Sequence, residues 1–238
     1  MILIRSLVFQ IYLYISILCA SILVVLSFPL PYSMKFSIAR KWGVSMLWIG
    51  EKLCNIKFVV EGRENIPLEP SVIMIKHSSV FEAYAQLIVF PEQTWVVKKE
   101  LQWIPIFGWA LHALNAICIN RKSGRTAVTQ VIEEGKIRLK KGIWVTIFPE
   151  GTRMKPGETK KFGISGAALA KAANVNIVPV AHNAEDVWES HSLEKKPGEV
   201  RFCIGKPIET DGKEVKAINF EVKQWIDSKM KLISRSHF

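Results

Sequence analysis

A histidine and a glutamate lie five residues apart where a buried strand is predicted to end. Residues 71–76 (SVIMIK) are apolar and rich in isoleucine and valine, which predicts a strand, and His77 follows directly. Glu82 falls in the first turn of a helix predicted over residues 81–90. A five-residue offset turns a helix by about 140°, so the side chains meet only if His77 stays in the loop. A carboxylate on one ring nitrogen then leaves the other free to accept a proton.

A second polar group follows another buried strand. Residues 143–148 (IWVTIF) predict that strand, and the loop after it contains Glu150, Gly151, Thr152 and Arg153. The guanidinium of an arginine is a planar set of donors, and a glycine lets the backbone approach a ligand closely. The loop is therefore suited to binding an anion, although a polar turn with a surface salt bridge is the simpler interpretation of it alone.

Two more basic residues lie where strands are predicted to end. Lys98 closes the segment 94–98, and Arg121 follows the segment 116–120. Taken separately, each of them is more often part of a solvated surface than part of a site.

The elements that must position these residues alternate between strands and helices. This order predicts an α/β fold with a largely parallel or mixed central sheet flanked by helices. Predicted strands cover residues 56–60, 71–76, 94–98, 116–120, 143–148, 175–180 and 199–204, and predicted helices cover residues 81–90, 125–140, 166–173 and 220–232.

The chain is both basic and hydrophobic. Its 238 residues include 32 Lys and Arg against 21 Asp and Glu, so the formal net charge is +11. The mean hydropathy is nevertheless positive, at +0.18. Nucleic-acid-binding proteins are usually basic and hydrophilic, so this pairing argues for an anionic membrane or an anionic lipid as partner and against nucleic acid. The hydrophobic content of 49% excludes a disordered chain.

The N-terminus carries a long stretch without charge, between Arg5 and Lys35. As a helix, residues 6–30 would be about 37 Å long, enough to cross a hydrocarbon core of about 30 Å. A cleaved signal peptide would have a shorter apolar run, and a buried core helix is rarely apolar on every face. We therefore predict a membrane-anchoring helical region at residues 1–53 and a catalytic domain at residues 54–238. Basic residues after the first helix favour a cytoplasmic site, on a bacterial inner membrane.

Together these segments resemble one family, the glycerolipid acyltransferases typified by 1-acyl-sn-glycerol-3-phosphate acyltransferase. In family order the chain has HSSVFE at 77–82, Arg121 in AICINR, FPEGTR at 148–153 and IVPV at 177–180. The resemblance covers roughly residues 55–205. Glu82 stands where the family usually has aspartate, which keeps the charge and adds one methylene.

The resemblance implies a reaction and a role for each residue. An acyl group would pass from acyl-CoA or acyl carrier protein to lysophosphatidic acid, giving phosphatidic acid for phospholipid biosynthesis, without a metal or a cofactor. His77 would be the general base and Glu82 its orienting carboxylate. Arg153, Arg121 and Lys98 would bind the phosphate of the acceptor. The pocket would be shaped by Glu150, Gly151 and Thr152.

Three alternatives remain open at this point. Ser165 in GISGA approaches the G-x-S-x-G motif of serine hydrolases, but it lacks the last glycine and a clear preceding strand. A non-catalytic lipid-binding module would explain the apolar N-terminus and the charge, but not the ordered motifs. Within the family, another lysolipid, such as a lyso-aminolipid, could be the acceptor.

Overall fold

The structure is a computed structural model that describes residues 1–235. Within that range, seven strands form one mixed sheet in the order β1-β7-β6-β2-β5-β3-β4. The neighbours in this sheet run parallel, except for β6 and β7, which are antiparallel. The strands are β1 (Ile56–Glu61), β2 (Val72–Ile75), β3 (Gln93–Lys98), β4 (Ile117–Ile119), β5 (Trp144–Ile147), β6 (Ile177–His182) and β7 (Gly198–Ile204).

Helices cover both faces of the sheet, which explains why its central strands are buried along their whole length. The helices are α1 (Ile2–Leu26), α2 (Tyr32–Cys54), α3 (Phe81–Val89), α4 (Phe107–Ala113), α5 (Arg125–Lys140), α6 (Ser165–Ala173) and α7 (Val215–Ile233). One hydrophobic core joins the sheet to α1 through α4, and a second joins it to α5, α6 and α7. The predicted fold class is confirmed.

The first two helices form a hairpin. A turn containing Pro29 and Pro31 separates them, and α1 packs against α2 and α4. Gly43 of α2 allows a close approach to α3, since a Cβ there would lie 2.8 Å from the carbonyl oxygen of Tyr84. Arg40 of α2 donates hydrogen bonds to the carbonyl oxygen of Leu87 in α3 and to that of Phe90, directly after α3. The hairpin is therefore joined to the sheet by packing and hydrogen bonds.

Several boundaries differ from those predicted. Helix α5 covers the residues predicted for it, but β6 is shifted two residues toward the C-terminus and α7 begins five residues earlier than predicted. The sequence analysis missed α4, a helix of seven residues that begins two residues after Pro105 and is too short for a clear helical period. Helix α2 ends at Cys54, and the division into residues 1–53 and 54–238 stays a prediction.

Candidate active site

The structure brings His77 and Glu82 together at the carboxyl end of β2. His77 lies in the loop after the strand, and Glu82 is the second residue of α3. The loop turns the chain, so that the Nδ1 atom of His77 lies 2.8 Å from the Oε1 atom of Glu82. Nδ1 therefore carries the proton that it donates to the carboxylate, and Nε2 is left as the basic nitrogen. The imidazole also stacks on Phe148, with ring centroids 4.2 Å apart.

Glu82 is held firmly as a carboxylate. It is fully buried and accepts hydrogen bonds from the backbone amides of Ser78 and Ser79 at 3.0 Å. Burial acts to raise the pKa of this carboxyl, but the imidazoles of His182 and His77 and a backbone amide together outweigh burial and hold the pKa below its ordinary value. Glu82 therefore presents a charged, immobile acceptor to His77.

A cavity of about 480 Å³ opens beside His77. Its polar wall contains His77, whose side chain is 18% exposed, and the three cations that were predicted to bind phosphate, Lys98, Arg121 and Arg153. Thr152 lines the same cavity. Within residues 1–235 no salt bridge joins Lys98, Arg121 or Arg153 to a carboxylate. The three cations therefore form no ion pair with a carboxylate in this part of the chain, although the charge of Glu100 acts on Arg121.

The rest of the cavity wall is mainly apolar, although it also includes Gln86 and His191. It is lined by side chains from α3, α4 and β3, and also by the first two helices. The contributors from α1 and α2 are Ile17, Ala20, Ser21, Val24, Ala39 and Trp42. The cavity therefore has a polar end at His77 and a hydrophobic wall that includes the N-terminal hairpin.

Gly151 and Arg121 join two of the loops around the cavity. Gly151 adopts a φ of +70°, a conformation that favours glycine, and its carbonyl oxygen accepts a hydrogen bond from the Nη1 atom of Arg121. Partial burial lowers the pKa of Arg121, but a guanidinium keeps its charge at neutral pH. Gly151 thus contributes its backbone to the site by fixing the side chain of Arg121.

Glu150 lies behind the cavity wall. Its carboxylate is 3.7 Å from the Nζ atom of Lys76, and both side chains are almost fully buried. Burial raises the pKa of Glu150 to about 7, and the charge of Lys76 opposes that rise. Lys76 also donates a hydrogen bond to the carbonyl oxygen of Glu158, 2.9 Å away. Glu150, which was predicted to shape the pocket, therefore supports the loop from the protein interior and does not line the cavity.

A comparison with protein families decides which kind of enzyme carries this site. Residues 57–183 match the family model described as Acyltransferase, which is more than half of the chain. The chain belongs to the acyltransferase family. The matched residues include His77, Glu82 and the whole loop that contains Arg153.

Individual relatives agree with this membership. The acyltransferase is 36% identical over 209 residues to a 1-acyl-sn-glycerol-3-phosphate acyltransferase of Pseudomonas aeruginosa, covering 86% of this chain and 81% of the relative. It is 31% identical to a chloroplastic 1-acyl-sn-glycerol-3-phosphate acyltransferase of Arabidopsis thaliana, covering 75% of this chain and 50% of the relative.

A solved structure has the same fold. The crystal structure of the 1-acyl-sn-glycerophosphate acyltransferase PlsC from Thermotoga maritima superposes with a TM-score of 0.81. The superposition covers 97% of this acyltransferase and 95% of that chain, at 22% sequence identity.

Sequence reasoning considered His182 only as a possible base of a serine hydrolase and did not predict that it lies behind Glu82. His182 is fully buried, and its Nε2 atom lies 3.7 Å from the Oε2 atom of Glu82. Nε2 donates to the carbonyl oxygen of Lys76 at 2.8 Å, while Nδ1 accepts from the amide of Ala184. A signal was present, because His182 follows IVPVA as His77 follows its own strand. Ends of neighbouring parallel strands meet, and β6 is next to β2.

The serine hydrolase alternative receives no structural support. Ser165 is the first residue of α6, and a loop precedes it instead of the strand that a nucleophile elbow requires. In the described part of the chain, no hydrogen bond joins the Ser165 hydroxyl to an imidazole. His182 is occupied on both ring nitrogens, as described above. Within residues 1–235, His77 is the imidazole that both lines the cavity and pairs with a carboxylate, whereas His191 lines the cavity without such a pair.

Proposed function

We propose that this acyltransferase transfers an acyl group from a thioester donor to the free hydroxyl of 1-acyl-sn-glycerol 3-phosphate, giving phosphatidic acid. The observation that carries the proposal is the shared cavity, in which the His77–Glu82 pair lies beside three cations that form no salt bridge with any carboxylate of residues 1–235. A neutral acceptor would not require those cations, whereas a phosphate monoester would. The Pseudomonas aeruginosa relative carries the same acceptor in its name.

In this mechanism the acyl group moves directly from thioester to acceptor. The Nε2 atom of His77 takes the proton from the acceptor hydroxyl as its oxygen attacks the thioester carbonyl. The C–S bond then breaks, and the thiolate receives the proton from the imidazolium. Glu82 stabilises that imidazolium and is itself fixed by two amides. No acyl-enzyme, metal or cofactor takes part in these steps.

The three cations bind the acceptor's phosphate. Arg153 and Arg121 offer planar pairs of N–H donors that match phosphate oxygens, and Lys98 adds a point charge. The carbonyl of Gly151 holds Arg121 in place, while Thr152 adds a hydroxyl to the cavity wall. Charge at this end and an apolar wall at the other fit a lipid that has a phosphate head and an acyl chain.

We also propose that the N-terminal hairpin attaches the enzyme to a membrane. Among the described residues, α1 is the one helix long and apolar enough to span a bilayer. Its contacts favour a position within one leaflet, because both halves of it touch the catalytic part. Near its start, Ser6 accepts a hydrogen bond from the backbone amide of Lys195. Near its end, Val24 lines the cavity. The basic residues of α2 favour the cytoplasmic face of a bacterial inner membrane.

An acceptor panel tests the proposed acceptor. Purified protein in vesicles would receive labelled acyl-CoA, or in parallel acyl carrier protein thioester, with lysophosphatidate, lysophosphatidylglycerol or a lyso-aminolipid. We expect acyl transfer to lysophosphatidate to exceed transfer to the others, and the two donors to be ranked by their kcat/KM values. Equal or faster acylation of a lysolipid without a phosphate monoester would contradict the proposal.

A substitution tests the phosphate site. We expect Arg153→Ala to raise the KM for lysophosphatidate by at least about tenfold, because it removes a charged hydrogen-bond donor from the ligand, and to leave kcat within a few-fold. Lys155→Ala, an exposed neighbour outside the cavity, is the matched control. An unchanged KM in the Arg153 variant would show that the phosphate binds elsewhere.

A further inference from the structure

Two tryptophans and an isoleucine are exposed on one short segment. Trp103 is 74% exposed, Ile104 45% and Trp109 61%; we call these three residues the tryptophan lip. Single exposed apolar residues are common on protein surfaces, but several large ones close together mark a contact surface. Tryptophan in particular is enriched where one end of the side chain meets hydrocarbon and the other meets water.

The backbone keeps the lip in place. Between the 3-10 helix Lys99–Trp103 and α4, the amide of Phe107 donates to the carbonyl of Pro105, 2.7 Å away. This γ-turn gives Ile106 a φ of +66°, which is strained for a β-branched residue. Gly108 packs tightly behind the turn, since a Cβ there would lie 2.0 Å from the carbonyl oxygen of Gln102. Strain of this kind persists only where the surrounding structure imposes it.

The lip lies at the edge of the catalytic cavity. Leu101 and Phe107, which belong to the same segment, line that cavity together with Val24 of α1. Helix α4, which carries Trp109, packs against α1. The half of α1 that lines the cavity also exposes large apolar side chains, at Leu18, Leu23 and Leu26. The lip and this part of α1 are therefore neighbours around one cavity.

We propose that the tryptophan lip is a second membrane-contact surface, which enters the headgroup region of an anionic bilayer and, with α1, holds the cavity opening against the lipid. The proposal rests on the proposed function, in which α1 lies in the membrane and the acceptor arrives from it. Continuity with the apolar surface of α1 favours a bilayer over a protein as the occupant. Lys99, exposed on the same segment, suits anionic headgroups.

Fluorescence quenching tests whether the lip touches lipid. The full-length protein would be bound to vesicles of phosphatidylethanolamine and phosphatidylglycerol with brominated acyl chains. Wild type would then be compared with Trp103→Phe/Trp109→Phe, which keeps the apolar bulk of both residues. We expect the Phe pair to lose a clearly quenchable fraction of the tryptophan emission. The control Trp225→Phe, on the half-buried indole of α7, should leave the amount of quenchable emission unchanged.

Kinetics test what the lip does for the reaction. We expect Trp103→Ser/Trp109→Ser to raise the KM for long-chain lysophosphatidate in vesicles by about tenfold or more, because the variant loses two aromatic contacts with the bilayer. Its kcat should stay within about twofold, and its KM for a short-chain, water-soluble lysophosphatidate should be unchanged. Phe220→Ser, at an aromatic residue of α7 that is 67% exposed, is the matched surface control.

Two results would overturn the proposal. One is equal quenching of wild type and Trp103→Phe/Trp109→Phe. This test remains valid even when Trp103→Ser/Trp109→Ser does not fold. The other is a wild-type dimer that Trp103→Ser/Trp109→Ser converts to a monomer in sedimentation, while the Phe variant shows no difference in quenching. That result would make the tryptophan lip a protein interface. An inactive wild type would instead refute the proposed function, while quenching would still decide the role of the lip.

Discussion

Lys76 and His77 are consecutive residues, yet each faces a different glutamate in a different environment. His77 makes a 2.8 Å contact with Glu82 and is open to the cavity. Lys76 lies 3.7 Å from Glu150, with both side chains sealed from solvent. Within residues 1–235, the carboxylate of Glu150 has no side-chain or backbone hydrogen bond that meets ordinary geometry, whereas Glu82 accepts several.

The difference shows that pairing a base with a carboxylate does not by itself make a catalytic group. In the His77–Glu82 pair, backbone amides donate hydrogen bonds to the carboxylate, and a substrate can reach the free imidazole nitrogen. The Lys76–Glu150 pair is closed to substrate, its charged atoms are 3.7 Å apart, and burial raises the pKa of Glu150 to about 7. Buried pairs of this kind contribute little net stability, although removal of one partner is costly. We therefore assign chemistry to the first pair and loop support to the second.

A substitution of His77 is the most direct test of the difference between the two pairs. We expect His77→Ala to lower kcat by about 10³-fold or more, because it removes the general base, while the melting temperature and vesicle binding stay near those of wild type. His112→Ala, at an exposed histidine outside the cavity, is the control and should retain activity. Substantial turnover by purified His77→Ala protein would remove the basis for the mechanism.

The carboxylate of the first pair should have the next largest effect. We expect Glu82→Gln to lower kcat by about 10²-fold, because the amide neither stabilises an imidazolium nor matches the two backbone donors. Glu82→Asp, the residue usual in the family, keeps the charge and should recover a large part of the rate. If the Gln and Asp variants have equal kcat values, the charge of Glu82 is not what supports His77.

The second pair should affect stability more than turnover. Glu150 has a pKa of about 7 in the folded protein and 4.5 in the unfolded chain, so the folded state retains a proton that the unfolded state releases between these values. Wild-type stability should therefore fall as pH rises from about 4.5 to about 7, by at most about 3 kcal/mol, and then level off. Glu150→Gln should remove this dependence and change kcat only a few-fold.

Thermal unfolding between these pH values measures the effect, with Glu158→Gln as the exposed control in the same loop. The control should keep the wild-type pH dependence. If Glu150→Gln has the same pH dependence as wild type, then Glu150 is already ionised across this range. If Glu150→Gln lowered kcat as much as His77→Ala, both pairs would take part in catalysis, and the distinction between them would be wrong.

Local patterns were enough to predict much of this molecule. Helix α5 was predicted to the residue, because its apolar positions repeat at helical spacing. The apolar run at residues 6–30 predicted α1, and the family was recognisable from short motifs such as FPEGTR. The proximity of His77 and Glu82 was also within reach, since it depends on one strand end and one adjacent helix turn.

The remaining features depend on strand order, which no local pattern contains. Strand β2 lies between β5 and β6 in the sheet, although about 70 to 100 residues of chain separate them. That order brings the segments after three strands together and places Glu150 beneath Lys76 and His182 behind Glu82. The hairpin adds Val24 to the cavity wall because α1 packs against α4. Residue types and local spacing thus determined which groups were present, and only long-range packing decided which of them meet and which reach the substrate.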